Sequence, residues 1–167
     1  MTDPDMTHYT LWNIIKTTRF CMLTHRDADG QLHSQPLTTQ NRSFDEGTPL
    51  YFFISRGSHL AQRIAQDDHV NVAYANTDAD SYVSVSGSAS LSNDRAQAER
   101  LWSPAVRAWF PGGLDDPDLA LLIVWPHHAE FWDVKESKVV QVLKMAKAAL
   151  TGKPPRSLGE HQKVDAL

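Results

Sequence analysis

The residues best suited to hold a ligand lie in one short segment, Ser55 to Leu60, where an apolar stretch runs into an amphipathic one. The dense apolar residues from Leu50 onward predict a strand that is covered on both faces. The helix after it is predicted by an apolar stripe at helical spacing, formed by Leu60, Ala61, Ile64 and Ala65. Ser58 is the expected N-cap, and the free amides and positive dipole end of a helix start favour a bound anion such as phosphate.

A purely structural interpretation of the same segment is also open. In it, Ser58 only caps the helix and Arg56 is a solvated surface charge. Capped helices are far more common than phosphate sites, so the local sequence alone favours the structural interpretation.

The other groups that could do chemistry lack the spacing of a known kind of site. His127 and His128 are adjacent in a strand-like segment, so their side chains are expected on opposite faces and cannot chelate one ion together. No ligand spacing is seen at four more histidines, His8, His25, His33 and His69. A row of serines at Ser84, Ser86, Ser88 and Ser90 has no paired base, which is typical of a polar strand face. The sequence therefore predicts no metal site and assigns no catalytic residue.

Composition limits the class of protein. The chain has 167 residues, enough for one domain with a real core, and its apolar content of 41% and charged content of 22% are ordinary for a globular protein. A net charge of -4 gives no sign of a nucleic-acid partner, and no apolar run is long enough to span a membrane. The single Cys21 offers no disulfide, and the N-terminus lacks the pattern of a secretory signal. We expect a cytoplasmic protein with no nucleic-acid or membrane partner.

Turn signals and periodicity predict a mainly β chain. Strands are predicted at residues 19–25, 31–40, 50–55, 69–75, 82–91, 119–125 and 129–134, and helices at 9–18, 58–66, 93–101, 103–109 and 137–150. The alternation is clearest from Tyr82 to Leu91, where Gly87 suggests a bulge, a bend or a close backbone approach. The turns between strands are too short for parallel crossovers, so six or seven antiparallel strands imply a small barrel. Residues 151–167 are polar, contain Pro154-Pro155 and are expected to be a flexible tail.

Several segments, taken in order, resemble one known family. They are FFISRGSHLAQRI, DDHVNVAY, YVSVSGSASL, LWSPAVRAWFPGGLDDPDLALLIVWP and AEFWD. Together they resemble the general stress protein 26 group of the pyridoxamine 5'-phosphate oxidase-like, FMN-binding split-barrel proteins, over Thr10 to Val134. The resemblance implies a six- to seven-stranded antiparallel split β-barrel with peripheral helices, which we assign to residues 1–150.

The resemblance also implies a homodimer with FMN in a groove between the subunits. Contacts to the FMN phosphate are implied in the second strand, at Gln35, Pro36, Leu37 and Thr38, and in the strand-to-helix turn, at Phe53, Ile54, Ser55, Ser58, His59 and Leu60. Aromatic cover for the isoalloxazine, supplied by the partner subunit, is implied at Trp109, Phe110 and Trp132.

Two positions depart from the family's pattern. The family commonly has arginine where Gln35 stands and lysine where Leu60 stands. Each charge-assisted hydrogen bond lost costs about 1.5–3 kcal/mol, so both losses together weaken FMN binding roughly a hundredfold or more. Arg42, Arg56 or a protonated His59 are the candidates to replace the missing charge.

The implied function is that of a stress-related, FMN-dependent oxidoreductase acting on an unknown small molecule, with the flavin supplying the redox chemistry. The alternative is a non-catalytic protein that holds flavin weakly or holds another small ligand, such as haem or a deazaflavin. The neutral residues Gln35 and Leu60 favour that alternative. Oxidation of pyridoxamine phosphate is not expected, because the oxidases' substrate-side motif is not evident after Glu130-Phe131-Trp132.

Overall fold

A computed structural model describes residues 4–18, 20–43, 47–133, 138–154 and 160–165. Within these residues the elements, in chain order, are α1 (Pro4–Thr17), β1 (Cys21–Arg26), β2 (Leu32–Leu37), β3 (Leu50–Ser55), α2 (His59–Ile64), β4 (His69–Asn76), β5 (Ser81–Ser92), α3 (Arg95–Leu101), β6 (Leu119–Asp133), α4 (Lys138–Thr151) and β7 (Glu160–Asp165). Residues 19, 134 and 137, at the ends of predicted elements, lie outside the described residues. In the part of the chain so described, no helix is long and apolar enough to cross a membrane.

The strands form a single antiparallel sheet that curls into a half-barrel. Their order is β2-β1-β4-β5-β6-β3, and β7 also pairs with β6. The tight turn from Asp27 to Gly30 joins β1 to β2, and Gly30 has the positive φ of 85° that such a turn requires. The predicted fold class, mainly β with flanking helices, is confirmed.

The concave face of the sheet holds the main core. Two helices close it, and their buried side chains are Leu11, Ile14 and Ile15 from α1 and Leu60, Ala61 and Ile64 from α2. Phe52 of β3 and Phe131 of β6 are almost wholly buried between the strands and these helices. Burying side chains of this size contributes about 1.5–3 kcal/mol each, so the two helices are required to complete the core.

A smaller apolar cluster covers the other face of β3. It contains Phe53, Trp102, Val106, Phe110 and Leu119, among others, and the rings of Phe53 and Trp102 meet edge to face at 5.7 Å. This second layer explains why β3 is apolar on both faces, as the sequence predicted. The helix predicted over residues 103–109 is shorter than expected, since it is only a 3-10 turn at residues 106–108.

Of the three features that Gly87 suggested, a bulge and a close backbone approach are both present. The register between β5 and β6 shifts between Ser86 and Gly87, which leaves His127 as the extra residue of β6. A Cβ atom at Gly87 would overlap the carbonyl oxygen of Trp125. The strand continues on both sides of the bulge, so residues 119–133 form one strand, whereas the sequence predicted two.

The expectation of a flexible tail from residue 151 is corrected for residues 160–165, which form β7. This strand pairs with the last six residues of β6. Side-chain contacts also join the two strands. Glu130 Oε2 lies 3.1 Å from His161 Nε2, and Glu130 Oε1 lies 3.1 Å from Lys163 Nζ. Trp132 stacks on His161 with ring centroids 4.9 Å apart. Helix α4 confirms the helix predicted just before it. Residues 155–159 and 166–167 lie outside the described part of the chain.

Candidate functional site

The turn between β3 and α2 has the cap that the sequence predicted. Ser58 is extended, with φ −68° and ψ 154°, and its hydroxyl oxygen accepts a hydrogen bond of 3.2 Å from the Ala61 amide. Helix α2 therefore starts directly above the end of β3. It is only six residues long, so its dipole is weak and individual donors matter more.

Much of the turn's hydrogen-bonding capacity is already used by Asp118. The Gly57 amide donates to Asp118 Oδ1 at 3.0 Å, and the Arg56 amide donates to the Asp118 carbonyl at 2.6 Å. The pKa of the Asp118 carboxyl is lowered mainly by a hydrogen bond from the Ser55 hydroxyl, and further by the hydrogen bond from the Gly57 amide. Asp118 is thus ionised at neutral pH and lies against the turn in which the sequence predicted a phosphate.

Two donors at the start of α2 are left for a ligand. In the described part of the chain, the amides of His59 and Leu60 donate to no protein acceptor, while the Ser58 amide donates to the Ser55 carbonyl. Sequence reasoning did not place Asp118 at this turn, because it lies 61 residues beyond Gly57. No sequence signal short of the β3–β6 register would have placed it there.

The inner face of β2 lies beside the start of α2. The rings of His33 and His59 are 6.3 Å apart, and Gln35 and Leu37 follow His33 on the same face of β2. The two segments implied to hold the phosphate are therefore neighbours.

The residues that the resemblance implies as contacts of the FMN phosphate differ in whether their side chains are exposed. Leu60 and Ile54 are buried in the main core, so only their backbone can meet a ligand. The side chains with at least part of their surface exposed are Gln35, Pro36, Leu37, Thr38, Phe53, Ser55, Ser58 and His59. No contact with FMN is tested at any of these positions, and the whole set stays a prediction.

Of the two arginines that could replace the cations missing at positions 35 and 60, Arg56 is already engaged by other groups of the protein. The Arg56 guanidinium donates to Asn93 Oδ1 and to the Leu119 carbonyl, both at 3.1 Å. It lines an open pocket of about 360 Å³ together with Arg95 and several acidic residues. Arg56 is thus neither a purely solvated charge nor a spare partner for phosphate, whereas Arg42 is exposed in the loop after β2.

The three aromatic residues implied to cover the flavin lie in different surroundings. Trp109 is 82% exposed, whereas Phe110 is packed in the second apolar cluster. Trp132 is 37% exposed and one face of its ring stacks on His161. Trp109 is accordingly the most available of the three to a partner molecule.

The structure brings together histidines that the sequence analysis treated as unrelated. His25 and His33 are directly opposite in the β1–β2 pairing, and Asp27 and His59 lie beside them. Spacing along the chain did not show that His25 and His33 are neighbours, because they are opposite each other across two paired strands. The predicted hairpin at Asp29-Gly30 was the signal that could have paired them.

His25 is the buried member of this group. Its side chain points to the concave face and is only 3% exposed. Burial lowers the pKa of His25, against the opposing effect of Asp27, so the ring is neutral at physiological pH.

Fold and site together define a class of protein: curled antiparallel half-barrels in which a capped strand-to-helix turn lies beside the inner face of the second strand. The model of the family described as pyridoxamine 5'-phosphate oxidase like matches residues 7–156, and the chain belongs to this family. The resemblance noted in the sequence is thereby confirmed.

Individual relatives agree with this assignment. A solved general stress FMN/FAD-binding protein from the phytopathogen Xanthomonas citri is 34% identical, with a TM-score of 0.70 and coverage of 80% of this chain and 92% of that chain. General stress protein 26 of Bacillus subtilis is 28% identical over 116 residues, which are 68% of this chain and 79% of the relative. Protein bli-3 of Neurospora crassa is 28% identical over 153 residues, or 86% of this chain and 73% of the relative.

Proposed function

We propose that the protein is an FMN-binding oxidoreductase that acts on a small molecule. Family membership supports the proposal, as does a 34% identical solved protein described as binding FMN or FAD. The structural observation that carries it is the meeting of the β2 inner face with the start of α2, at His33 and His59. A stress-related role in the cytoplasm is a prediction that belongs to the same proposal.

The residues available at this place fit an anion, although their charge is low. The amides of His59 and Leu60, the Ser58 hydroxyl and the side chains of Gln35 and Thr38 would hold the phosphate through hydrogen bonds. Gln35 and Leu60 replace cationic residues of the family pattern, and Leu60 is fully buried. When bound, the flavin supplies the electron or hydride transfer, and the chain supplies position and exclusion of water.

A homodimer belongs to the proposal, because a second copy would complete the groove. Exposed apolar side chains lie on the outer face of the sheet, where Met22, Tyr82 and Trp132 are 42%, 38% and 37% exposed. Tyr82 and Trp132 are paired across β5 and β6, so they form one continuous patch. Such a patch is typical of an interaction surface, and we place the second copy on it.

A non-catalytic binding protein is the second candidate, and one observation favours it. The ionised Asp118 carboxylate at the strand-to-helix turn repels a phosphate that approaches Gly57. With neutral Gln35 and Leu60 nearby, flavin would bind weakly or another small ligand would take the groove.

Cofactor binding is tested by adding the purified, flavin-free protein to a fixed concentration of FMN and following the quenching of flavin fluorescence. The proposal expects saturable quenching with one FMN for each subunit. FMN fluorescence that stays unchanged at high protein concentration would exclude the cofactor.

Turnover is tested on the loaded protein under anaerobic conditions. Bleaching of the flavin absorbance by a reduced nicotinamide cofactor supports an enzyme that takes electrons from it directly. Saturable FMN binding without bleaching favours the non-catalytic candidate.

A further inference from the structure

The group formed by His25, Asp27, His33 and His59 has the donors and the arrangement of a metal site. Asp27 Oδ1 lies 3.1 Å from His59 Nε2, and Asp27 Oδ2 lies 3.0 Å from His33 Nε2. The rings of His25 and His59 have centroids 5.6 Å apart. One carboxylate is thus shared among imidazoles that come from two strands and a helix.

The elements that carry these residues hold them in place. His25 lies on the inner face near the end of β1, and His33 is its partner in the β2 register. Asp27 begins the hairpin turn, in which its amide donates to the Gln31 carbonyl at 2.8 Å and its carbonyl accepts from the Gly30 amide at 2.9 Å. His59 is the first residue of α2. Strands and tight turns hold metal ligands more rigidly than long loops do.

An independent observation at His25 points to a ligand at this group. The Nδ1 atom of His25 is buried and has no hydrogen-bond partner. Unpartnered buried polar atoms are rare, because each loses its hydrogen bonds to water without compensation. A metal ion bound by this imidazole would be the partner that the described part of the protein does not supply.

We propose that His25, Asp27 and His59 bind a divalent transition-metal ion, with Zn²⁺ as the best-suited ion, while His33 holds the second oxygen of Asp27. The proposal does not depend on flavin binding. It assigns His33 the supporting role that a hydrogen-bonded neighbour has for a ligating carboxylate.

The distances between the donor groups of His25, Asp27 and His59 suit a zinc ion once the two imidazole rings move slightly closer together. One ligand atom from each of His25, Asp27 and His59 can be chosen so that all lie within 4.8 Å of one another. A tetrahedral zinc with bonds of about 2.0–2.1 Å needs donors about 3.4 Å apart and imidazole centroids about 5 Å apart. The His59 side chain is 60% exposed and is therefore free to make the adjustment.

The donor set selects the kind of ion. Two imidazoles with one carboxylate suit zinc and its transition-metal neighbours, whereas Mg²⁺ and Ca²⁺ prefer oxygen ligands. Three protein ligands leave a fourth position for water or a small anion. Arg63 Nε, 3.9 Å from Asp27 Oδ1, is the cation nearest to the carboxylate among the described residues, and it also donates to the Arg26 carbonyl.

The test uses the full chain without an affinity tag, freed of flavin and treated with a chelator. Zn²⁺ is titrated in competition with a chromophoric chelator, and Co²⁺ is added separately to record its visible absorption. The proposal expects one Zn²⁺ for each chain and the intense visible bands of a tetrahedral Co²⁺ site.

The informative variants change exposed side chains, so that the protein still folds. His59→Gln is expected to weaken zinc binding by about a hundredfold or more, and His33→Gln by about tenfold or more. His127→Gln, at an exposed histidine outside the group, is the matched control and is expected to leave the affinity within twofold. Circular dichroism and thermal unfolding of each variant establish that it is folded.

A second control separates this site from the exposed group of Asp67, Asp68 and His69, whose ligand atoms also lie close together. If His69→Gln abolishes binding and His59→Gln does not, the zinc lies at the start of β4 and the proposal is overturned. Absence of stoichiometric zinc binding at micromolar concentration overturns it as well. Either result is independent of whether FMN binds.

Discussion

At the scale of single residues, the proposed phosphate site depends on the charge at two positions, 35 and 60. Gln35 lies half-buried on the inner face of β2, whereas Leu60 is fully buried in the core. A lysine placed at position 60 would therefore have to bury or displace its ammonium group, and that cost obscures any gain in binding. Position 35 is the better place to restore a cation.

We expect Gln35→Arg to tighten FMN binding by about 10- to 100-fold, because one charge-assisted hydrogen bond contributes about 1.5–3 kcal/mol. The measurement is the dissociation constant from quenching of flavin fluorescence. Gln31→Arg, which adds the same charge at an exposed position just before β2, is the control for a general effect of charge. Equal affinities of Gln35→Arg and the parent would place the phosphate elsewhere.

The residues that sequence reasoning missed share one physical cause. Asp118 and the group around Asp27 come together only through the pairing of β3 with β6 and of β1 with β2. Composition and periodicity show which face a side chain takes, but they do not show which distant strand lies next to it. Ser58 was recognised because its cap is a local interaction three residues long.

At the scale of elements, the β5–β6 bulge is the most constrained feature of the sheet. Gly87 meets the backbone of Trp125 and Pro126 at the point where the register shifts. Any side chain at this position forces the two longest strands apart. The alternation in β5 was predictable because one face is buried, and the same pattern singled out the glycine.

We expect Gly87→Ala to lower the free energy of unfolding by at least about 3 kcal/mol or to prevent folding, since overpacking at the backbone leaves no room to adjust. Ser88→Ala, one residue further along β5, is expected to change it by less than about 1 kcal/mol. Both are measured by urea denaturation. A Gly87→Ala variant as stable as Ser88→Ala would contradict the assigned register.

Strand β7 shows why part of the sheet was not predictable. Its sequence, Glu160–Asp165, is polar and has no apolar alternation. Glu130 of β6 binds this strand through its carboxylate. Hydrogen bonds to it from His161, then from His128 and Lys163, lower the pKa of Glu130 to about 2. A polar strand of this kind forms only in the presence of its partner.

The pH dependence of β7 docking follows from that pKa. The folded-state pKa of Glu130 lies below its ordinary value of 4.5, so its stabilising contribution is present above about pH 4.5 and is lost as the pH falls toward 2. We expect Glu130→Gln to speed hydrogen exchange of the β7 amides at pH 6 and to lower stability there, with the difference from the parent vanishing near pH 2. A stability difference that does not change between pH 6 and pH 2 would show that the carboxylate does not fasten β7.

At the scale of the whole molecule, the half-barrel leaves one face of its sheet open. The concave face is closed by α1 and α2, while the outer face keeps Met22, Tyr82 and Trp132 partly exposed. The sequence predicted the antiparallel pairing and the inserted helix, because both depend on local periodicity and short turns. Seven strands were predicted and seven are present, but residues 119–133 are one strand that was predicted as two, and β7 was predicted as part of a flexible tail. The proposed association of two copies depends on surfaces that no local sequence pattern describes.

We expect the protein to sediment as a dimer and Tyr82→Glu to shift it toward the monomer, because a buried carboxylate in an apolar interface is strongly unfavourable. Tyr9→Glu, at an exposed tyrosine of α1, is the control and is expected to leave the dimer intact. Analytical ultracentrifugation over a range of concentrations measures both. A parent protein that is monomeric at every concentration would refute the shared groove.

We propose that two copies of the chain hold FMN between them, with the phosphate at the start of α2. A crystal structure grown with excess FMN tests it most directly. The expected result places the phosphate within hydrogen-bonding distance of the His59 and Leu60 amides, with the flavin ring between two subunits. A structure in which side chains fill that groove and FMN is absent would contradict the claim.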